Sequence, residues 1–262
     1  PEEAEKITWV AADDVRKIAR MYANAKSASI APGTCAIDQH LNGLQTGRAF
    51  AMLQAVTGNI DRPGGWANSP FSRLGSMHIK VEEDPIGSVE HPLFYRLWGR
   101  EAPYGQVMYL PDAVIDEKPY PIKALIVTGG NPVATLPDSK RMKEAVEALE
   151  FSVVIDMFMT ETAEMADIVL PASSFAERAG LGYVYAVTSG IPYMLYRKKM
   201  IDPLFESKAD WEFWSELARK MGYGEYFPWK TDEEVIDYWL QPSGKTAKDL
   251  VEEDPEGDYF AE

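Results

Sequence analysis

Three short runs of apolar residues constrain the fold of this chain more than any other feature of its sequence. They are Lys123–Thr128, Phe151–Ile155 and Ile168–Leu170. Apolar periodicity predicts an amphipathic helix between the first two runs, over 139–149, and a shorter helix between the last two, over 160–166. Apolar strands that alternate with helices are typical of a parallel sheet covered on both faces. We therefore expect an α/β fold, with a doubly wound, mostly parallel, Rossmann-like sheet flanked by helices.

Outside the sheet, helical spacing of apolar residues predicts further helices over 13–24, with Asp13 as its cap, and over 44–56, 208–221 and 232–240. Between about 66 and 120, prolines, glycines and aromatic residues recur without periodicity. Such a stretch is typical of a long irregular loop, and loops of this length in compact enzymes are often functional. We therefore divide the chain into 1–66, part of a neighbouring α/β domain; 67–120, an irregular connecting excursion; and 121–262, the Rossmann-like domain with its C-terminal helices.

Composition excludes several classes of protein. The 26 basic and 41 acidic residues give a net charge of −15, which is the opposite of the basic surface that nucleic-acid binding requires. No apolar run reaches the ~20 residues of a membrane-spanning helix, so we expect a soluble chain without membrane insertion, in the periplasm or the cytoplasm. Cys35 is the only cysteine, so neither a disulfide nor a cysteine-ligated cluster can form within the chain. Pro1 replaces an initiator Met and no signal peptide is visible, which leads us to expect a processed or excised piece.

Polar residues follow the ends of the predicted strands, where an open parallel sheet binds its ligands. The first strand is followed by Gly129, Gly130 and Asn131. The glycines let a ligand approach the backbone, exposed amides favour a phosphate, and the Asn side chain can donate and accept; an ordinary Gly-Asn-Pro turn is the structural alternative. Asp156 ends the second strand and is placed to accept from a ribose hydroxyl or a guanine edge, or to cap the next turn. Arg178 suits a phosphate unless it is a solvated surface residue.

Several familiar motifs of catalysis and nucleotide binding are missing. The sequence has no Gly-x-Gly-x-x-Gly after a strand and no Gly-x-x-x-x-Gly-Lys-Ser/Thr. His40, His78 and His91 lack the spacing of metal ligands. No pattern of Ser or Cys nucleophile with a base is present. No catalytic residue and no metal ligand are therefore predicted.

Two longer stretches carry a resemblance to a known family. One is Val-Ile-Asp-Met-Phe-Met-Thr-Glu-Thr-Ala-Glu-Met-Ala-Asp-Ile-Val-Leu-Pro (154–171) with Phe-Ala-Glu-Arg (175–178). The other runs from Pro-Gly (32–33) and Asp-Gln-His-Leu-Asn-Gly (38–43) to Val-Thr-Gly-Asn (56–59) and Arg-Pro-Gly-Gly (62–65). Over about 8–66 and 122–222, the chain resembles the molybdopterin oxidoreductases of the dimethyl-sulfoxide-reductase-like family, which carry a bis(molybdopterin guanine dinucleotide) molybdenum cofactor.

The resemblance implies a set of cofactor-binding residues. Cys35 and Gln39 would line the path of the pterin or nucleotide, and Arg178 and Asp210 would flank the guanine end. The dinucleotide would be contacted at the two strand tips by Gly129, Gly130 and Asn131, and by Ile155 and Asp156. Cys35 replaces a more common apolar residue, and we expect its thiol to be inert. On this reading, 1–66 ends a neighbouring cofactor-binding domain, and 121–262 is the molybdopterin-dinucleotide-binding domain.

Full-length members of that family contain parts that this sequence lacks. They have a [4Fe-4S] cluster or its remnant near the start, a protein ligand to molybdenum, and a final β-barrel domain. We therefore expect the central part of a catalytic subunit, inactive alone, from an enzyme that moves two electrons to or from a small substrate and pairs with an iron–sulfur electron-transfer subunit. The Pro-Gly-Gly-Trp turn (63–66) is closer to the polysulfide, thiosulfate and tetrathionate reductase branches than to formate dehydrogenases.

Two other functions stay open on the sequence. One is a stand-alone guanine-nucleotide or flavin-type binding module that uses the same kind of sheet. The other is a non-catalytic assembly subunit whose nucleotide site has decayed. The intact Gly-Gly-Asn turn and Asp156 argue against decay.

Overall fold

The computed structural model describes residues 1–31, 33, 37, 41–66, 74–75, 107–118, 120–182, 193–253 and 258–259. The chain divides into two compact units. One comprises 1–72, 182–195 and 256–262, and the other comprises 73–181 and 196–255. The division into 1–66, 67–120 and 121–262 stays a prediction.

A parallel three-stranded sheet forms the centre of the second unit. Its strands are β1 (Ala124–Thr128), β2 (Phe151–Asp156) and β3 (Ile168–Pro171), in that order across the sheet. Helices α5 (Pro132–Thr135) and α6 (Ser139–Ala148) connect β1 to β2, and α7 (Glu161–Glu164) connects β2 to β3. The predicted α/β class, with parallel strands linked by helices, is confirmed.

The two longest strands of the parallel sheet differ in burial although both are apolar in sequence. In β2, four consecutive residues from Ser152 to Ile155 are buried. In β1, no residue is fully buried, and Ile126 is 37% exposed. The expectation that both runs form buried strands was therefore wrong for β1. Its position explains the difference, because β2 has a strand on each side and β1 lies at the edge of the described sheet.

A short helix in the same unit packs against α6. It is α4 (Leu110–Ile115), which follows a 3-10 turn at Val107–Tyr109. Arg141 of α6 donates to Asp112 at 2.6 Å and to Asp116 at 2.7 Å. The irregular excursion expected over 67–120 therefore ends in a helix, and most of that range lies outside the described residues.

Three C-terminal helices complete the second unit. They are α8 (Asp210–Lys220), α9 (Asp232–Leu240) and α10 (Ala247–Glu252). The side chain of Thr231 caps α9 by accepting from the N–H of Glu234 at 3.3 Å, and Thr246 caps α10 in the same way. The predicted helices over 208–221 and 232–240 are confirmed.

The first unit contains α1 (Glu2–Thr8), α2 (Ala12–Asn24) and α3 (Gly43–Val56). The helices predicted over 13–24 and 44–56 are confirmed. The predicted cap was wrong, because α2 begins at Ala12, whose N–H donates to the Glu5 carboxylate at 3.1 Å. Asp13 therefore lies within the first turn of α2, where a negative charge still favours the helix dipole.

The turn after α3 is fixed by a buried asparagine. The Asn59 side chain accepts from the N–H of Ala28 at 3.0 Å and donates to the Thr57 hydroxyl at 2.9 Å. A Cβ at Gly65 would lie 2.5 Å from the carbonyl oxygen of Asn59, so this turn requires glycine at that position. The Thr-Gly-Asn and Pro-Gly-Gly motifs therefore build one close turn.

A second sheet has the strand order β4 (Gly180–Gly182), β5 (Tyr193–Arg197) and β6 (Asp258–Tyr259), and β5 and β6 are antiparallel. Among the described residues, no helix is both long and apolar enough to cross a membrane.

Candidate cofactor-binding site at the carboxyl ends of the strands

The carboxyl ends of the parallel strands lie side by side. Thr128 of β1 is opposite Ile155 of β2, and the N–H of Gly129 donates to the carbonyl of Ile155 at 2.9 Å. Asp156 is opposite Pro171 of β3. The strand register therefore places the Gly-Gly-Asn turn and Asp156 at the same edge of the sheet, as the sequence led us to expect.

The segment that leads into α8 reaches the same edge. Ala172, directly after β3, pairs with Lys208 in a parallel bridge, and the N–H of Ser173 donates to the carbonyl of Lys208 at 2.8 Å. Asp210, the first residue of α8, follows two positions later. Its place beyond the carboxyl end of β3 is therefore a consequence of this short pairing.

The turn after β1 is open on one side. Gly129 has a φ of 57°, in the left-handed region that favours glycine, and no described atom lies within 4 Å of where its Cβ would be. The side chain of Asn131 is half-buried and faces the following helix instead of solvent. A ligand can therefore approach the backbone at the glycines more easily than the side chain of Asn131.

The side chain of Asn131 joins the tip of β1 to the start of α7. Its Oδ1 accepts from the Thr162 hydroxyl at 2.7 Å, and its Nδ2 donates to the Glu161 carboxylate at 2.6 Å. The pKa of Glu161 is lowered, first by a hydrogen bond from its own backbone and then by Asn131. Asn131 has a second amide hydrogen, so its contacts here leave one donor for a ligand.

Asp156 keeps part of its hydrogen-bonding capacity. The residue is half-buried, and its Oδ1 accepts from the N–H of Phe158 at 3.0 Å. Its Oδ2 has no hydrogen-bond partner among the described residues. The next three residues, Met157 to Met159, are exposed. This carboxylate therefore both caps its turn and presents an acceptor at an uncovered strand tip.

The structure brings Arg178 and Asp210 together, and their position at the guanine end of a cofactor stays a prediction. A guanidinium nitrogen of Arg178 lies 3.7 Å from a carboxylate oxygen of Asp210, and each side chain is about one-third exposed. Ile155, by contrast, has its side chain in the core, where it lines a mainly apolar cavity of about 420 Å³ beside α8. Cys35 and Gln39 lie outside the described residues.

A buried carboxylate holds the loop that carries Arg178. Glu177 accepts from the N–H of Ser174 at 2.7 Å, the N–H of Leu204 at 2.6 Å and the hydroxyl of Ser207 at 2.9 Å. Hydrogen bonds from Ser174 and Leu204 lower the pKa of Glu177 to about 2. The loop and the segment before α8 are therefore joined by one ionised group.

Asp232 fixes the other side of the same loop. It accepts from the N–H of Ala179 at 2.7 Å and from the indole N–H of Trp211 at 2.7 Å. Ala179 follows Arg178, and Trp211 follows Asp210. Asp232 therefore holds the two neighbours of the Arg178–Asp210 pair in one place.

With this geometry established, comparison with known proteins identifies the family. A model of the molybdopterin oxidoreductase family matches residues 14–220, which is more than half of the chain. The chain belongs to the molybdopterin oxidoreductase family. Membership implies a molybdenum–pterin cofactor.

Three relatives show how the chain compares with longer members. It is 30% identical over 246 residues to the alpha subunit of a formate dehydrogenase from Methanocaldococcus jannaschii, covering 90% of this chain and 35% of that protein. It is 28% identical to the molybdopterin-containing subunit of a thiosulfate reductase from Salmonella typhimurium, covering 95% of this chain and 34% of that protein. The structure of acetylene hydratase from Pelobacter acetylenicus matches with a TM-score of 0.77 and 27% identity, over 95% of this chain and 37% of that one. The chain thus spans about a third of the length of these relatives.

The donor and acceptor set at the strand tips fits the phosphate-bearing organic part of such a cofactor. An open glycine turn suits a phosphate, a carboxylate with one uncommitted oxygen suits an N–H or O–H donor, and a guanidinium suits a phosphate. The described residues contain no group of three or more His, Cys, Asp or Glu side chains that could hold a metal ion. In this molybdopterin oxidoreductase chain, the described edge of the sheet is therefore chemically suited to the organic part of the cofactor.

Sequence reasoning missed the residues that position this site. Thr162 lies in the quoted family motif, and its offset from Asn131 gave no sign that the two side chains meet. Glu177 is also in the motif, directly before Arg178. That position is the signal from which its role in holding the loop could have been predicted. Asp232 lies in a later segment with no motif, and only the fold brings it to the loop that carries Arg178.

Proposed function

We propose that this chain binds the guanine-dinucleotide end of a bis(molybdopterin guanine dinucleotide) cofactor, as the central part of a longer catalytic subunit. The observation that carries the proposal is the Asp156 carboxylate, which stands half-buried at the tip of the central strand with one oxygen uncommitted among the described residues. An open glycine turn lies beside it on the neighbouring strand. Both features are expected of a nucleotide site at the carboxyl edge of a parallel sheet.

The residues of this chain would bind and orient the nucleotide. Asp156 would accept from a guanine N–H or a ribose hydroxyl, while the backbone amide of Gly130 would face a phosphate. The amide of Gly129 is already bonded to Ile155, so Gly129 would contribute only the open approach to the backbone. Arg178, held in place by its neighbours and paired with Asp210, supplies a positive charge at the guanine end. Cys35 and Gln39 remain proposed contacts on the pterin or nucleotide path. When bound, the molybdenum centre would supply the two-electron redox chemistry.

A calorimetric titration tests the proposal on the full 262-residue chain. Because this chain would form only part of the cofactor cleft, we expect GDP to bind with a dissociation constant of about 100 μM or weaker. Asp156→Asn should weaken GDP binding, since an amide presents a donor where the carboxylate accepts. Asp202→Asn is the matched control, because Asp202 is almost fully exposed and pairs only with Lys199 among the described residues.

The results separate the proposal from its rivals. Weak GDP binding that depends on Asp156 and not on Asp202 supports it. Nanomolar binding of bare GDP would instead indicate a stand-alone guanine-nucleotide-binding module. Absence of GDP binding at millimolar concentrations, with the chain folded, would contradict a nucleotide site and favour a decayed assembly subunit.

The substrate of the complete enzyme is a separate proposal. We infer a small sulfur-containing substrate such as polysulfide or thiosulfate, from the Pro-Gly-Gly-Trp turn at 63–66, with electrons exchanged through an iron–sulfur subunit and a [4Fe-4S] cluster outside this chain. The relatives include both a formate dehydrogenase and a thiosulfate reductase. Assays of the complete enzyme with thiosulfate and with formate distinguish the two, and activity with formate alone would overturn this inference.

A further inference from the structure

Arg197, at the end of β5, lies against the same short segment that carries Arg178. Its Nη2 atom lies close to the backbone of Gly180. A Cβ added at Gly180 would be only 2.5 Å from that nitrogen. Its guanidinium carbon is 5.8 Å from the centre of the Phe175 ring. Arg197 therefore contacts residues on both sides of Arg178 in the sequence, and the two positive charges interact.

Both arginines have unsatisfied hydrogen-bonding capacity. The Nε atom of Arg178 and that of Arg197 are buried and have no hydrogen-bond partner in the part of the chain that the structure describes. The contact from Arg178 to Asp210, at 3.7 Å, is longer than a hydrogen bond. Buried polar groups are normally paired, so each unpaired donor calls for an explanation, and a binding site for an ion is one of the usual ones.

The charges around Arg178 and Arg197 also favour a bound anion. Burial, and then the charge of Arg178, lower the pKa of Arg197, while Asp232 opposes this effect. The two carboxylate oxygens of Asp232 already accept from Ala179 and Trp211. Two neighbouring cations with buried, unpaired donors are stabilised together by one shared anion.

We propose that Arg178 and Arg197 jointly bind one phosphate-type anion, and that Arg197 is a binding residue of this site. A guanidinium fork matches two oxygens of a phosphate, so two forks can hold one phosphate or a diphosphate. The anion can come from the diphosphate of the nucleotide, in which case the inference rests on the proposed function, or from free phosphate or pyrophosphate.

The test measures binding of pyrophosphate, GDP and guanosine to the full chain by ligand-observed nuclear magnetic resonance. Arg197→Met should weaken pyrophosphate and GDP by about tenfold or more, because hydrogen bonds to charged groups contribute ~1.5–3 kcal/mol. It should leave guanosine binding unchanged. Arg197→Lys keeps the charge without the planar fork and should recover part of the loss.

A glycine pair supplies a second test that leaves both arginines in place. Gly180→Ala inserts a Cβ against the Arg197 guanidinium and should reproduce the loss of pyrophosphate binding. Gly182→Ala is the matched control on the same strand, because its Cβ would meet Leu195 only at ordinary contact distance, 3.7 Å. Thermal unfolding of each variant verifies that it is folded. If Arg197→Met fails to fold, the comparison of pyrophosphate binding by Gly180→Ala and Gly182→Ala tests the inference instead.

The possible outcomes distinguish this inference from the proposed function. Pyrophosphate binding that is unaffected by both Arg197→Met and Gly180→Ala would overturn the two-arginine site. An equal loss of guanosine and GDP binding would also overturn it, since the effect would not depend on phosphate. Pyrophosphate binding that depends on Arg197, without any binding of GDP, would support the anion site and contradict the proposed function.

Discussion

The carboxylate of Glu177 accepts a 2.6 Å hydrogen bond from the backbone N–H of Leu204, joining two segments that are 27 residues apart. The first segment continues directly into Arg178, and the second leads into Asp210 at the start of α8. Because the Arg178–Asp210 ion pair is long, at 3.7 Å, it provides little restraint by itself. The geometry of the pair is set by Glu177 and Asp232 behind it.

The first prediction concerns acid stability. The folded-state pKa of Glu177, about 2, lies below its ordinary value of 4.5, so its contribution to stability is present above about pH 4.5 and is lost as pH falls towards 2. Glu177→Gln should lower the urea midpoint at pH 7, and its difference from the wild type should shrink between pH 4.5 and 2. Glu206→Gln, at an exposed position, is the control. A deficit that does not change with pH would contradict this assignment.

The second prediction concerns the link between Asn131 and Glu161. Asn131→Asp replaces the amide that donates to Glu161 at 2.6 Å with a second carboxylate, and the resulting repulsion should lower the melting temperature by several degrees. The double variant Asn131→Asp with Glu161→Gln should recover much of the loss, because a Gln side chain can donate across the same gap. Thermal unfolding by circular dichroism measures both. If the second substitution gives no recovery, the hydrogen bond is not what stabilises this turn.

The third prediction concerns the hydrophobic cluster formed by helices α5 and α6. Met142 is fully buried and packs in a cluster with Val133 and Val146. Met142→Ala should lower the free energy of unfolding by about 2–5 kcal/mol. Met200→Ala removes the same side chain at a position that is 62% exposed and should change stability by less than about 0.5 kcal/mol. Chemical denaturation gives both values, and similar losses for the two variants would rule out this packing.

The fourth prediction concerns metal content. The described residues offer no cluster of metal-binding side chains, and the chain has one cysteine. The purified chain should therefore retain molybdenum at well below one atom per molecule, and it should have no oxidoreductase activity alone. Elemental analysis measures the metal. Stoichiometric molybdenum would overturn the view that the metal is held by parts outside this chain.

The sequence predicted the connections of the parallel sheet better than the burial of its strands. Alternating apolar runs and helices were sufficient for β1, β2 and β3, because such a pattern has few other stable arrangements. The run of β1 is as apolar as that of β2, but whether a strand lies at the centre or the edge depends on its neighbours. No local pattern in Ala124–Thr128 carries that information.

The sequence predicted that the ends of β1 and β2 lie at one edge of the sheet. It did not predict the residues that hold the neighbouring loop in place. Parallel strands place their carboxyl ends at one edge, so the shared edge of Asn131 and Asp156 follows from connectivity alone. The resemblance named Arg178 and Asp210 as residues at the guanine end, but it did not predict that their side chains pair. Arg197 reaches the loop that carries Arg178 only because β5 passes beside Gly180. Contacts between segments that are far apart in the sequence produce no periodic pattern from which they could be predicted.

The hydrogen bond from Leu204 to Glu177 has an evolutionary consequence. It fixes the two ends of the stretch between residues 177 and 204, which also contains β4 and β5, and the entropy of closing a connecting segment rises slowly with its length. Insertions or deletions between β4 and β5 can therefore accumulate in related proteins while Arg178, Arg197 and Asp210 stay in place. The glutamate, and not the number of residues that follow it, would be the feature that natural selection retains.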